Sequence, residues 1–339
     1  MHKLKAYLLT NFSHLYFSIF MPLFVIASVI MLVKIAAFTS IIQLSLLEML
    51  KLYTFMLPEL LFYILPVTFF VSAVLAVSKL SNDNEMLVIF SLGIKPLTIL
   101  NFFARLAFIQ SLLLFLLFFL VTPYAKSLAG NFLKIKKNEA KFNIEASEYG
   151  HKFGEWLIFV GKNIDENKFA DIILFNQKQK EETLLVANTA EIINKAGVLT
   201  LQLNLGKGFT YSKDSLSQMS FRKLYINDSA QTDTTTYVNT KQYWFNPDRR
   251  EALKKQFIIG SLLSLFPLIS VFLIPTIGII NVRHQKGHTY AYIFTSIILY
   301  YGVSFSLIKP IGLYTIAIMS IMSLLIVIPL YIQTIAKRY

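Results

Sequence analysis

The sequence contains no cysteine, which excludes disulfides, zinc–thiolate sites, cysteine nucleophiles and iron–sulfur clusters and leaves the redox compartment open. Charge is scarce too: Asp, Glu, Lys and Arg make up 15% of 339 residues, against about 25% in ordinary soluble domains. Phosphate-binding signatures are missing as well. No GxxxxGK[ST] occurs, because Gly161-Lys-Asn and Gly206-Lys-Gly lack its spacing and its hydroxyl, so the chain carries no nucleotide cradle of its own. Apolar residues instead reach 55% and aromatics 14%, with a mean hydropathy of +0.58. That is the composition of a membrane protein.

Six stretches meet the roughly 20 apolar residues that a bilayer crossing needs: Leu15–Phe38, Tyr53–Val77, Leu97–Tyr124, Phe257–Ile280, Tyr290–Leu307 and Ile311–Ile332. The third is long, since 1.5 Å per residue gives about 42 Å, and it is expected to tilt or to project beyond the membrane. The basic start, Met1–Lys5, lacks a following small-residue cleavage site and leads into a stretch too long for a signal peptide, so it reads as the start of the first span. Between the third and fourth spans, Ala125–Gln256 holds 20 of the 32 Lys and Arg and 15 of the 19 Asp and Glu. The expected organisation is residues 1–124 with three spans, 125–256 as an aqueous domain, and 257–339 with three more.

Of the 12 basic residues outside that domain, nine fall to one side if the N-terminus is cytoplasmic: Lys3, Lys5, Lys79, Lys95, Arg105, Arg283, Lys286, Lys337 and Arg338. Lys34, Lys51 and Lys309 fall to the other. The positive-inside rule then places both termini in the cytoplasm and the central domain outside. The net charge of +13 is thus partly topological and is no sign of nucleic acid.

The central domain reads as β. Val198–Leu205 alternates strictly, with Leu199, Leu201, Leu203 and Leu205 on one face. Gly206-Lys-Gly208 is expected to turn it into Phe209–Ser212. Further short strands are expected at Phe142–Ala146, Trp156–Val160, Asp171–Phe175, Thr183–Ala187 and Phe221–Ile226, which suggests a sandwich or jelly roll.

The loop after the second span runs from Lys79 to Pro96. Asn82 and Glu85 have capping-box spacing, Met86–Phe90 is apolar, Gly93 suits a helix end and Pro96 opens the next helix. A short helix at the membrane face is expected over about 82–93. Glu85 either only closes that box or pairs with an arginine of a peripheral ATPase while apolar neighbours fill a groove. Lys34 and Glu59 sit at similar depths on antiparallel spans, where an unpaired charge is costly. They snorkel, pair with each other, or line a cavity for an anionic ligand. Lys51, three residues after Glu48, has the spacing of a solvated pair and is carried as a further candidate for that ligand. His284 and His288 stand in a basic loop without a carboxylate nearby, and no metal or cofactor site is expected.

Taken together, three spans, an outer β domain and three spans resemble the LptF/LptG (YjgP/YjgQ) permease family across the whole chain. The likeness is carried also by Leu57–Pro66 running into Lys79–Gly93, which resembles the family's coupling-helix region, and by Asn281-Val-Arg283, where the family tends to have Asn-Pro-Arg. The resemblance implies a non-catalytic subunit of an ABC-type exporter in the bacterial inner membrane, extracting lipopolysaccharide and passing it to a periplasmic β-jellyroll bridge. It implies an inserted periplasmic β-jellyroll-like domain. Implied partners are a cytosolic LptB-like ATPase dimer, an LptG-like second permease, a single-span LptC-like protein and an LptA-like bridge, with this chain leaning to LptF. By the same resemblance Asp83, Glu85, Met86, Leu87, Phe90 and Gly93 form the ATPase-coupling element. Lys34 falls close to a lysine that meets lipid A phosphates, and Leu199, Leu201 and Leu203 either line an acyl-chain channel or form domain core. The alternatives are a non-transporting mechanotransmission or scaffold subunit, and a secondary transporter.

Overall fold

The computed structural model describes residues 2–39, 44–141, 151–153, 156–165, 168–178, 181–195, 198–212, 215–227, 240–280 and 288–337. Six helical stretches in it are long and apolar enough to cross a bilayer, three before and three after an antiparallel β region. The first half comprises α1 (His2–Thr39), α2 (Leu46–Asn82), the short α3 (Glu85–Ser91), α4 (Pro96–Leu116) and α5 (Thr122–Lys141). After the strands come α6 (Thr240–Trp244), α7 (Arg250–Ser270), α8 (Leu273–Gly278), α9 (Thr289–Ile311) and α10 (Tyr314–Tyr331). Two compact units result: a helical one built from both ends of the chain, and one centred on Asn131–Tyr237.

In the helical unit α2 is central and α1 peripheral. The most apolar window of α2 is 67% buried within the chain, that of α1 only 6%. Phe69 and Phe70 of α2 meet Phe103 of α4 and Phe266 of α7 in one cluster, with the Phe70 and Phe266 rings 5.5 Å apart. Close approach of the helices depends on small residues, as expected where lipid supplies no hydrophobic drive. A Cβ on Gly278 would lie 2.7 Å from the Cβ of Val77, so α8 seats directly on α2.

Two spans differ from their sequence expectation. Phe257–Ile280 is not continuous: α7 ends at Ser270 and α8 starts at Leu273, because Pro275 has no N–H for the carbonyl of Val271 and its ring crowds that carbonyl. Ile274 N–H takes the vacated acceptor in a tighter turn at 3.3 Å. Leu97–Tyr124 does not stop at Tyr124 but passes through a π-helical turn, Leu117–Val121, into α5. Pro123 again lies at the irregularity.

The strands are β1 (His151–Phe153), β2 (Trp156–Asp165), β3 (Lys168–Lys178), β4 (Glu181–Lys195), β5 (Val198–Ser212) and β6 (Ser215–Asn227). They pair in chain order as one antiparallel meander, with no Greek-key crossing among the described residues. The expected strand Phe142–Ala146 lies outside those residues. Gly206-Lys-Gly208 does not turn the chain, as its sequence suggested, because β5 runs through it to Ser212.

A crease replaces that turn. Gly161, Asp171, Asn188, Leu205 and Arg222 form a row across β2–β6, each skipped by the ladders on either side. Asp171 and Leu205 adopt φ of 53° and 52°. The buried face changes parity at the row: Phe169 gives way to Ile172 and Leu174 in β3, and Leu185 and Ala187 to Ala190 in β4. Leu205 accordingly leaves the face shared by Leu201 and Leu203 and is 61% exposed. Gly206 belongs to the crease because a Cβ there would lie 2.4 Å from the Val186 carbonyl oxygen.

Candidate functional site

The α3 segment is built to hold one geometry. Gly93, at φ +80°, takes the left-handed conformation that ends the helix. Its N–H bonds to the Phe90 carbonyl at 2.9 Å and that of Ile94 to the Ile89 carbonyl at 3.4 Å, the paired bonds of a Schellman motif. Pro96 then opens α4 as expected. At the other end the expected capping box is absent. Asn82 is the last residue of α2, Asn84 precedes α3 with φ 60°, and its side chain makes no capping bond. Only two residues join α2 to α3, and Asn84 is left-handed, a conformation asparagine tolerates better than most. The capping box lies instead at the start of α2, where Ser45 N–H donates to Glu48 Oε2 at 2.9 Å and Glu48 N–H to Ser45 Oγ at 3.4 Å.

Freed from capping, Glu85 accepts a hydrogen bond from the Tyr7 hydroxyl at 2.5 Å, which ties α3 to the first turns of α1. Asp83 is exposed at the C-cap of α2. Met86 is 2% exposed and packs with Ile89 into the helical core, with Phe90 against its edge. The residues that face outward are Leu87, Val88 and Leu92, the last 73% exposed. Val88 and Leu92 were not singled out from the sequence. Helical spacing from Met86 and Ile89 would have found Val88, but only the buried side's identity assigns which face is which.

At the opposite ends of α1, α2 and α4 the charged candidates do not converge. Glu59 pairs with Lys126 of α5 at 2.9 Å, both about one-third exposed, and the pair lines a small pocket with Phe55, Met56 and Thr122. This excludes the Lys34–Glu59 pairing that their depths suggested. Lys34 is exposed on α1, and Lys51 is exposed on α2. Ser28 and Tyr53 share a 2.8 Å hydrogen bond that joins α1 to α2. Lys126 escaped the sequence reading because it follows the apolar stretch that ends at Tyr124, and nothing local links it to a residue 67 positions earlier.

In the β unit, Leu201 and Leu203 are fully buried with Leu174 and Leu185. Leu199 stands opposite Asn194 in β5, and its side chain lies outside the described residues. So do Asn281-Val-Arg283 and His284. No cluster of three or more His, Asp or Glu able to hold a metal occurs among the described residues.

No curated protein matches the chain. The family model for the lipopolysaccharide export system permease LptF/LptG matches residues 6–336, which takes in all six spans and the whole β region. The chain belongs to the LptF/LptG family of lipopolysaccharide export permeases.

Proposed function

We propose that this chain is a transmembrane subunit of an ABC-type exporter that lifts lipopolysaccharide or lipooligosaccharide from the inner membrane, with ATP hydrolysed by a separate cytosolic dimer. The observation that carries the reading is α3. Its underside, Met86 and Ile89, is part of the core, its end is fixed by a Schellman motif, and its outer side offers Leu87, Val88 and Leu92. A rigid apolar knob suits a groove on an ATPase, and Glu85 with Asp83 supplies the acidic partner for an arginine. The nine-to-three split of basic residues supports cytoplasmic termini and a periplasmic sheet.

In this mechanism closure of the ATPase dimer pushes on α3, and the push reaches α2 and α4 through the shared core. The spans narrow around a lipid whose phosphates meet Lys34, with Lys51 near the same boundary. The lipid's acyl chains then enter the periplasmic β domain, for which exposure to water costs about 0.8 kcal/mol per CH₂. The β-bridge, a second permease of LptG type and a single-span LptC-like protein complete the path, with this chain as the LptF-type member.

The test is affinity purification from the native membrane in mild detergent, with mass spectrometry of proteins and lipids, for the unsubstituted chain, Leu92→Glu and Lys34→Glu. The expected result is an ATPase, a second permease and lipopolysaccharide with the first, loss of the ATPase alone with Leu92→Glu, and loss of lipid alone with Lys34→Glu. An ATPase recovered with a periplasmic enzyme and no lipid would mean mechanotransmission. Transport that survives loss of the ATPase would mean a secondary transporter.

A further inference from the structure

A cleft of about 840 Å³ opens where α6, the first turns of α7 and the π-helical turn at Phe119 meet, with Leu313 at its edge. It is separate from the Glu59–Lys126 pocket and contains none of the residues assigned above. Its walls are pre-formed. Pro123 has no N–H for the Phe119 carbonyl four residues back, and the Trp244 indole N–H donates to that carbonyl at 3.1 Å. The Trp244 ring then packs on Phe119 at 5.4 Å and on Phe257 at 6.3 Å. Tyr243 Oη donates to Gln256 Oε1 at 3.0 Å, which fastens α6 to α7 a second time.

The charged side chains that line it are all of one sign. Lys241, Arg250 and Lys254 line the cleft, and none of the described residues that line it is acidic. Arg250, Leu253, Lys254 and Phe257 recur at i, i+3, i+4 and i+7, so cations and apolar groups share one face of α7. Two like charges at i,i+4 repel each other, and a third cation across the cleft adds to that repulsion. None of the three forms an ion pair among the described residues. Arg250 is also where the fourth membrane-capable helix begins, and tryptophan with basic residues at such a boundary marks the headgroup level. Phe245, 85% exposed, stands at the mouth, where an acyl chain would shield it.

We infer that this cleft holds the phosphate headgroup of an anionic glycerophospholipid from the surrounding bilayer, with Lys241, Arg250 and Lys254 on the phosphate and the Trp244–Phe257 wall along the upper acyl chain. The volume lies within the range of small-molecule sites, about 300–1,000 Å³, which fits a headgroup and the start of one chain but not a whole multi-chain lipid. The inference rests on the six helices spanning a bilayer and not on what cargo the protein exports.

Trp244 is its own reporter, because the only other tryptophan is Trp156. The full-length Trp156→Phe protein is placed in phosphatidylcholine nanodiscs, and lipid with brominated acyl chains is titrated while Trp244 fluorescence is read. Brominated phosphatidylglycerol is expected to quench at about tenfold lower mole fraction than brominated phosphatidylcholine, given the attraction of each basic group for anionic lipid. In Lys241→Gln/Arg250→Gln/Lys254→Gln the two lipids quench alike, while the control Lys207→Gln/Arg222→Gln/Lys223→Gln keeps the preference. An unchanged Trp244 emission maximum in phosphatidylcholine alone shows that the cleft has folded in each variant. Equal quenching by both lipids in the Trp156→Phe protein would overturn the inference, as would a preference that survives the triple substitution. Reversal of the quenching by lipopolysaccharide at lower mole fraction than phosphatidylglycerol would also overturn it, by assigning the cleft to the cargo. No ATPase enters the assay, so failure of the export reading leaves these outcomes unaffected.

Discussion

Gly260 of α7 offers the sharpest test of the helical packing. A Cβ built there would lie 2.0 Å from Phe118 Cε1 and 2.3 Å from its Cδ1. Ordinary carbon contact starts near 3.4 Å, so the ring or the helix must yield by about 1.4 Å. The ring has nowhere to go: its centroid is 4.5 Å from Phe62, 5.1 Å from Phe119 and 5.8 Å from Trp244. Overpacking of a boxed site costs about 1–3 kcal/mol, and replacing a helical glycine by alanine returns about 0.5–1 kcal/mol. Gly260→Ala is therefore expected to destabilise by about 2 kcal/mol, taking the upper part of the overpacking range. Gly302 is the internal control, since a Cβ there meets nothing within 4 Å, and Gly302→Ala should be neutral or stabilise by up to about 1 kcal/mol. Thermal unfolding in detergent, followed by tryptophan fluorescence, measures both. Phe118→Leu should relieve the clash, giving a favourable coupling of at least about 1 kcal/mol in the double-mutant cycle with Gly260→Ala. A Gly260→Ala protein that unfolds at or above the parent temperature would refute the close approach of α7 to the π-helical turn that carries Phe118.

Two further substitutions probe the other unusual places. Lys126→Ala leaves Glu59 unpaired within a span, and because both groups are about one-third exposed the cost should fall between the surface and buried limits, about 1–2 kcal/mol. Glu59→Lys with Lys126→Glu should recover most of that in the same unfolding assay, and no recovery would remove the pair from the account. Leu205→Asn should stabilise the sheet by up to about 1 kcal/mol, since the side chain is exposed and asparagine suffers less than leucine at φ 52°. Slower amide exchange across β4–β6 would register the gain, and faster exchange would mean that Leu205 contributes more than its exposure suggests.

The gross plan was legible because it depends on one-dimensional quantities. Hydropathy windows found six spans, and the rise in charge after Tyr124 pointed to the β region between the third and fourth. What stayed hidden depends on partners far apart in the chain or on single backbone angles. Lys126 counted as part of the soluble domain because the apolar run had ended two residues earlier, yet α5 continues the third span and brings it to Glu59. The break between α7 and α8 was foreshadowed by Pro275, but prolines at 58 and 66 leave α2 unbroken, so proline alone does not decide. The capping-box spacing fitted Asn82–Glu85 and Ser45–Glu48 equally, and only the latter is used, because Asn82 is still inside α2. Alternation in β5 predicted the buried Leu201 and Leu203 and failed at Leu205. A crease exchanges the faces without changing the residue pattern, and the nearby glycines were its one trace.

The contacts of α3 would let so short a helix serve the proposed coupling. Seven residues cannot be a stable helix alone, since nucleation is unfavourable and most of the stability must come from packing. Here the packing is supplied on one side only: Met86 and Ile89 enter the cluster that also contains Phe69, Phe103 and Phe266. Any displacement of α3 must either strip those side chains from the core or carry the core with it. Stripping them exposes two large apolar groups, at about 1.5–3 kcal/mol each, whereas moving the cluster as a body breaks none of its contacts. The Schellman end at Gly93 and the proline start of α4 three residues later leave little slack on the far side. The Tyr7–Glu85 hydrogen bond adds a direct tie to α1, the least buried of the six membrane-capable helices, whose Leu8 and Phe12 also enter that cluster. A push on α3 would therefore reach α2 and α4 through close packing, and α1 would follow through the same cluster, since its Phe12 ring lies 5.7 Å from Phe69 and 6.0 Å from Phe103.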